Sequence, residues 1–265
     1  MKNQVHPKRV SVVIPAYNKG SSLFPTLDQL IQQLQLTGLD FEIAIVNDGS
    51  TDNTLEEAIR VKRFNGNSEN IKIYHYPQNQ GKGFALAYGF SKTTGDLVAF
   101  CDADLDLPPV NLRVALAYFD QEKADIVVGS KRHPDSRVNY PIIRRLLSLG
   151  YQIAIRFLFN LNVRDTQCGL KVFKREILEK ILPKLVVKAF AFDLELLVVA
   201  KQYGFLNIAE SPIELDYKFN STISLKTAKN ILQDTTAIFY RKSILNYYAE
   251  PKGLVLRRLA IGNPV

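Results

Sequence analysis

Leu97-Val-Ala-Phe-Cys-Asp102-Ala-Asp-Leu-Asp106 sets an apolar run directly before three carboxylates at alternate positions. The run Leu97–Cys101 reads as a buried strand. Pro108 and Pro109 then suit the first turn of a helix carrying Val110–Phe119. The same alternation repeats on either side. Apolar, β-branched runs at Val10–Ile14, Phe41–Val46, Ile71–Tyr74 and Ile126–Val128 predict further strands. Between them Leu23, Leu27, Leu30, Ile31 and Leu34 fall on one face of a helix. Ser50, Thr51 and Asp52 supply capping residues for a helix over Leu55–Phe64. Strands and helices alternating at this spacing predict an α/β fold with a mainly parallel sheet covered on both faces. Such sheets bind ligands beyond the carboxyl ends of their strands. The turns after the strands are therefore where chemistry is expected.

The second half is less regular. Helices are predicted at Pro141–Leu161, Arg175–Leu182 and Phe192–Tyr203, with a long one at Thr222–Tyr248 and a short extended segment at Asp165–Phe173. No internal repeat or linker interrupts the chain. The economical division is one domain over residues 1–220 and a C-terminal helical extension over 221–265, packed on that domain or on a membrane surface. Hydrophobic residues make up 46% of the 265 and charged residues 23%, which suits a folded core and excludes disordered, collagen-like and disulfide-scaffold classes. Cys101 and Cys168 lie far apart and neither begins a CxxC, so a reduced intracellular protein without a zinc site is expected. Met1–Val10 is polar and basic, without the apolar stretch of a signal peptide. No run of ~18 apolar residues predicts a transmembrane helix. The net charge of +8 suits nucleic acid, anionic lipid or phosphorylated ligands alike.

Asp102, Asp104 and Asp106 repel one another unless a cation compensates them. Mg²⁺ and Mn²⁺ are hard ions that take oxygen ligands and keep phosphate oxygens in their shell. A solvated acidic turn would have the same sequence, so the motif alone is ambiguous. Pro15-Ala16-Tyr17-Asn18 and Asn47-Asp48-Gly49-Ser50-Thr51-Asp52 close two predicted strands and can face one crevice. There Asp48 could accept from the N–H of uracil or guanine, and Tyr17 could pack on a base. Asp48-Gly49 is equally compatible with a simple turn. Asn79-Gln80-Gly81-Lys82-Gly83 opens a helix and resembles a phosphate cradle, but it matches neither the P-loop nor the GxGxxG pattern.

Taken in order, Val10–Asn18, Val46–Asp52, Asn79–Gly83 and Asp102-Ala-Asp104 resemble family 2 glycosyltransferases, which have the Rossmann-like GT-A fold. Asp102–Pro109 looks like the polyprenyl-phosphate sugar transferases. Asp165-Thr-Gln-Cys-Gly-Leu-Lys-Val-Phe173, followed by Ala191–Leu196, resembles the dolichyl-phosphate glucosyltransferase branch. The likeness covers roughly residues 8–220. It implies that Pro15, Ala16, Tyr17, Val46, Asp48, Gly49 and Lys82 bind the nucleotide-sugar donor. It further implies that Asp102 and Ala103 lie along ribose and diphosphate, and that Asp104 and Asp106 ligate Mg²⁺ or Mn²⁺. Lys131, Arg144 and Ser148 match positions expected to bind donor or acceptor phosphates. Lys19 stands where Glu is frequent. Ser221-Thr222-Ile223 replaces a Ser-Lys-Leu, leaving Lys218 or Lys226 to substitute for its lysine.

In the Pro141–Leu161 segment, Arg144, Arg145, Ser148, Gln152 and Arg156 form one polar stripe on an otherwise apolar helix. A cationic amphipathic helix of this kind can lie in a lipid interface, or be buried on two sides of a core. Arg241, Lys242, Tyr247 and Tyr248 close the last helix with the basic and aromatic character that favours anionic headgroups, although a docked helix or an oligomer contact reads the same. A lipid monophosphate acceptor is mostly ionised at neutral pH, its second pKa being ~6, and so needs no strong general base. Asp193 is then a candidate base or an organiser of the acceptor site, and Glu195 has a structural part. The expectation is inverting transfer of glucose from UDP-glucose to a polyprenyl phosphate at the cytoplasmic face of a membrane, with Asp104 and Asp193 as catalytic residues and no nucleic-acid partner. The alternatives are GDP-mannose as donor, a glycan or protein hydroxyl as acceptor, or a non-catalytic binding module.

Overall fold

The computed structural model describes residues 9–104, 107–138, 142–189, 191–215 and 225–249, the side chains of 142–147 and 225–228 excepted. The first half follows the expected alternation: β1 Arg9–Ala16, α1 Gly20–Gln35, β2 Asp40–Asp48, α2 Thr54–Phe64, β3 Ile71–Tyr76, α3 Lys82–Phe90, β4 Leu97–Phe100, α4 Val110–Gln121 and β5 Ile126–Ser130. The second half adds β6 Arg137–Val138, α5 Ile142–Phe159, β7 Lys171–Lys174, α6 Arg175–Ile181, α7 Phe192–Gln202, β8 Ile208–Pro212, β9 Glu214–Leu215 and α8 Leu225–Ser243.

Seven strands form one sheet in the order β3-β2-β1-β4-β7-β5-β8. β1 pairs in parallel with β2 and β4, β2 with β3, and β5 with β8. β7 alone is antiparallel, wedged between β4 and β5, so that Lys171 lies opposite both Phe100 and Val128. β6 and β9 form a separate short parallel pair. Side chains alternate across each strand, and both faces of this sheet are covered. Val13, Val46, Leu86, Phe100, Phe173 and Leu194 pack in one core. Val12, Ile14, Leu27, Ile45, Val127 and Leu170 pack in the other.

Two parts of the second half differ from expectation. Within Asp165–Phe173 only the end, from Lys171, is strand; the preceding residues form an irregular loop. β8 was not expected, because Ile208–Pro212 lies at the sheet edge, half-buried, and mixes Glu210 and Pro212 with its apolar residues. On α5 the polar stripe is divided between protein and solvent. Gln152 is buried and donates to the Val163 carbonyl, while Leu149, Ile153 and Phe157 are exposed by 46%, 61% and 88%. The stripe is thus split, with Gln152 facing protein and Arg156 solvent, while Ile155 and Phe159 are buried and other apolar residues are exposed. α5 packs on α8 through Tyr151–Thr235 and Phe159–Phe239 contacts. Ser221, Thr222, Ile223 and Lys218 lie outside the described residues, as does the side chain of Lys226.

Candidate active site

The turns after β1 and β2 are stitched together. Asn18, with φ of 50°, donates its N–H to Ser50 Oγ at 3.0 Å, and its side chain accepts from Thr51 N at 2.9 Å. Asp52 accepts from Gly20 N at 3.0 Å and from Thr54 N at 3.0 Å, fastening the starts of α1 and α2 to each other. Gly49 sits at φ 65°, and a Cβ there would stand 2.4 Å from Asn79 N. Only glycine lets the β2 turn approach the loop after β3 so closely.

Asp48 is 2% exposed and is already occupied. Its carboxylate accepts from Gln80 N at 2.7 Å, Gly81 N at 3.0 Å and Asn79 Nδ2 at 3.0 Å. It therefore fixes the loop that presents Lys82. Tyr17 is 46% exposed at the mouth, whereas Ala16, Val46 and Ala103 are buried and shape the floor from beneath. Pro15 is partly covered at the end of β1.

Beyond β4, three lysines face the carboxylates of the acidic turn and of Asp193. Lys82, at the N-terminus of α3, lies 2.8 Å from Asp102 Oδ1 and 3.1 Å from Asp193 Oδ2. Lys171, fully buried on β7, lies 2.6 Å from Asp193 Oδ1 and donates to the Cys168 carbonyl at 2.5 Å. Asp102, Lys82, Asp193 and Lys171 thus form a chain of alternating charge. Burial pushes the Asp102 carboxyl up, but Lys82, aided by Lys171 and Lys19, outweighs it and holds the group below the usual carboxylate range. Burial opposes the charge on Lys82, yet Asp102 and Asp193 hold its ammonium well above the ordinary lysine range. The third lysine, Lys19, lies 2.7 Å from Asp104 Oδ2.

The loop Asp165–Gly169 crosses from this cluster to a second cationic group. At one end, a Cβ on Gly169 would stand 1.8 Å from Asp102 Oδ2. At the other, Asp165 Oδ2 accepts from Lys131 N at 3.1 Å and pairs with Lys131 Nζ at 3.3 Å. Arg132 donates to Ser148 Oγ at 2.8 Å and to the Arg164 carbonyl at 3.1 Å. Lys131, Arg132 and Ser148 are gathered here; the Arg144 side chain and all of Asp106 lie outside the described residues.

Glu195 supports the site from behind. It is fully buried, and its Oε2 accepts from Val186 N at 2.9 Å and Val187 N at 2.8 Å. The neighbouring Lys188 carbonyl accepts from Gly83 N at 2.9 Å, next to Lys82. Glu195 Oε1 accepts from Arg241 at 3.2 Å and from the Tyr248 hydroxyl at 2.5 Å, tying the C-terminal helix to this loop.

Lys171, Arg132, the Lys19–Asp104 pair and the packing of Gly169 were not foreseen as site features. A lysine between Leu170 and Val172 was the legible signal, since a charge in a buried strand requires a partner. Cys101 and Cys168 are free thiols beside the site; burial pushes Cys168 up to about 11 and raises Cys101 as well, so neither is a thiolate nucleophile at neutral pH.

Among the described residues no group of three or more His, Cys, Asp or Glu side chains converges on a metal position. Asp102 and Asp104 nevertheless offer the hard oxygen donors that Mg²⁺ and Mn²⁺ prefer, and each is already faced by an ammonium group. The acidic turn therefore fits a cation.

A mainly parallel sheet with an acidic turn after its fourth strand, a lysine at a helix N-terminus and interlocked turns after β1 and β2 fits the frame of a sugar-transferring enzyme. The family model for "Glycosyl transferase family 2" matches residues 11–182, and the chain belongs to that family. It is a nucleotide-sugar glycosyltransferase. Among its relatives, a dolichyl-phosphate beta-glucosyltransferase of Trichomonas vaginalis is 32% identical over 88% of this chain and 72% of its own length. The Saccharomyces cerevisiae dolichyl-phosphate beta-glucosyltransferase is 31% identical over 84% of this chain and 73% of its own. A solved structure of Mycobacterium tuberculosis glucosyl-3-phosphoglycerate synthase, in complex with Mn²⁺, UDP and phosphoglyceric acid, superposes with a TM-score of 0.65 at 22% identity, covering 92% of this chain and 80% of that one. This last likeness bears on the fold alone.

Proposed function

We propose that the enzyme transfers glucose from UDP-glucose to a polyprenyl phosphate such as dolichyl phosphate, with inversion in a single displacement. The observation that carries the reading is the Asp165–Gly169 loop, which joins the Asp102 carboxylate at one end to the Lys131–Arg132–Ser148 group at the other. One end serves the donor diphosphate and the other offers cations to an acceptor phosphate. The names of the two relatives support the sugar and the lipid.

Tyr17, Pro15 and the floor of Ala16, Val46 and Gly49 would receive the nucleoside, while Asp48 acts through the loop it fixes rather than by reading the base. Asp104 and Asp106 would hold Mg²⁺ or Mn²⁺, which when bound supplies positive charge to the departing diphosphate. Lys82 adds a fixed ammonium on the same side. The acceptor phosphate carries its nucleophilic oxygen already ionised, so its alignment by Lys131, Arg132 and Arg144 replaces proton abstraction. Asp193, with both oxygens engaged by Lys82 and Lys171, organises those lysines rather than serving as a base. No helix among the described residues is long and apolar enough to cross a membrane. The exposed Leu149, Ile153 and Phe157 on α5, beside the exposed Arg156, support peripheral contact with a bilayer, which would be made at its cytoplasmic face. Residues 1–220 would form the catalytic domain and 221–265 the extension docked on it.

The test is a matrix of UDP-glucose and GDP-mannose against dolichyl phosphate and water-soluble acceptors, with Mn²⁺ or Mg²⁺. The expected product is glucosyl-phosphate lipid, abolished by Asp104→Ala. Transfer to a soluble hydroxyl with none to lipid phosphate would overturn the acceptor.

A further inference from the structure

Lys19 and a divalent ion require the same oxygen. The lysine is held at its backbone: its N–H donates to Thr54 Oγ1 at 2.8 Å, and its carbonyl accepts from Ser22 N at 3.0 Å and Leu23 N at 2.8 Å as α1 begins. Ser22 Oγ in turn donates to the Ala103 carbonyl at 3.2 Å, docking the acidic turn on the same helix start. Tether and target are therefore fixed, and only the side chain is free to move. Its ammonium reaches Asp104 Oδ2 at 2.7 Å, with 37% of the lysine side chain and 28% of the aspartate's still exposed. Lys82 differs, because two carboxylates hold it and it is the less exposed. Of the two cations on the acidic turn, Lys19 is the one built to leave.

We propose that Lys19 is a tethered competitor for divalent metal at Asp104, and that a nucleoside diphosphate relieves the competition by giving the ammonium another anionic partner. The proposal rests on Asp104 being a metal ligand. Without nucleotide, an arriving ion must displace Lys19 and then tolerates a positive neighbour at short range. With nucleotide, the diphosphate attracts both cations, so metal and nucleotide strengthen one another's binding by the same factor. The enzyme would then hold metal firmly only when the donor is in place.

The experiment titrates Mn²⁺ into the full chain, reading the free-ion signal by electron paramagnetic resonance with and without saturating UDP. Native protein, Lys19→Gln and Lys19→Arg are compared. A half-exposed ion pair is worth up to about 1 kcal/mol, a factor of about five. Without UDP, Lys19→Gln is expected to bind Mn²⁺ more tightly than native protein, by up to about fivefold. Its gain on adding UDP is correspondingly smaller, and Lys19→Arg behaves as native. Equal Mn²⁺ affinity of native and Lys19→Gln protein without UDP overturns the proposal, as does a native site whose affinity UDP leaves unchanged. Absence of Mn²⁺ binding in all three forms with UDP present would overturn the metal reading itself, a result distinct from the other two.

Discussion

At Gly169 the absence of a side chain is what lets Asp102 lie against the Asp165–Gly169 loop. Alanine there would put a methyl carbon 1.8 Å from the carboxylate oxygen, and Lys82 holds that carboxylate in place on its other side. Gly169→Ala is expected to leave the protein folded but to weaken UDP binding at least tenfold, measured by calorimetry with Mn²⁺ present; an unchanged affinity would mean that Asp102 yields freely. Lys171 makes a different prediction. It is buried with Asp193, and removing one member of a buried pair costs about 3 kcal/mol or more. Lys171→Met should lower unfolding stability by that order in urea. Asp193→Asn separates organiser from base: activity is expected to fall while the pH profile keeps its shape, and loss of the acidic limb would make Asp193 a base. Asp48, Lys82, Asp102 and Asp104 were legible because each follows a strand or opens a helix in a recognisable order. The partners of Asp104 and Asp193 were not, because Lys19 and Lys171 are distant in sequence and meet these carboxylates only once β1, β4 and β7 are aligned.

Among the elements, β1 to β4 were legible from apolar runs bounded by turn residues, since parallel strands covered on both faces leave that signature. β8 and the two-residue strands β6 and β9 leave none: a half-buried edge or a single bridge needs no continuous apolar run. α5 was legible as a helix, but the burial of Gln152 was not, because its partner Val163 lies beyond the helix. The apolar side left exposed carries a prediction. Ile153→Ser combined with Phe157→Ser is expected to reduce co-sedimentation with anionic vesicles several-fold while UDP binding is retained; undiminished co-sedimentation would remove α5 from the membrane contact. On α8 the Glu195–Arg241–Tyr248 contacts tie the extension to the loop beside Lys82. Tyr248→Phe should cost about 1–2 kcal/mol through the lost buried hydrogen bond. Faster amide exchange at Val186 and Val187 is the accompanying readout, because their N–H groups share Glu195.

Across the whole molecule, Glu42 ties the opposite side of the sheet together and sets an acid limit on stability. It is buried at the start of β2, where it accepts from Thr94 N at 2.5 Å and Ser11 Oγ at 2.9 Å and pairs with Lys72 at 3.3 Å. Burial pushes its carboxyl up, but these donors, with Arg9, outweigh it and lower the pKa from 4.5 to about 2. A depressed carboxylate stabilises the fold fully above its unfolded value, and that contribution is lost as pH falls from about 4.5 towards 2. The contribution is about 3 kcal/mol. Urea unfolding of native and Glu42→Gln protein at pH 7 and pH 3 should show the difference shrinking with acid; a constant difference would place the effect elsewhere.

The reversed strand β7 also constrains the order in which the chain assembles. β1 to β4 add to the sheet as successive neighbours or near neighbours, each finding a partner already made. β5 cannot do so, since the position beside β4 belongs to β7, which lies more than forty residues further along the chain. During synthesis β5 must wait for a segment not yet made, whereas β1 to β4 have no such dependence. Pulsed hydrogen exchange during refolding should therefore find β5 amides protected no earlier than those of β7, with β1 and β2 ahead of both. The turns after β1 and β2 would then be formed in a chain that still lacks the Asp165–Gly169 loop in its final place.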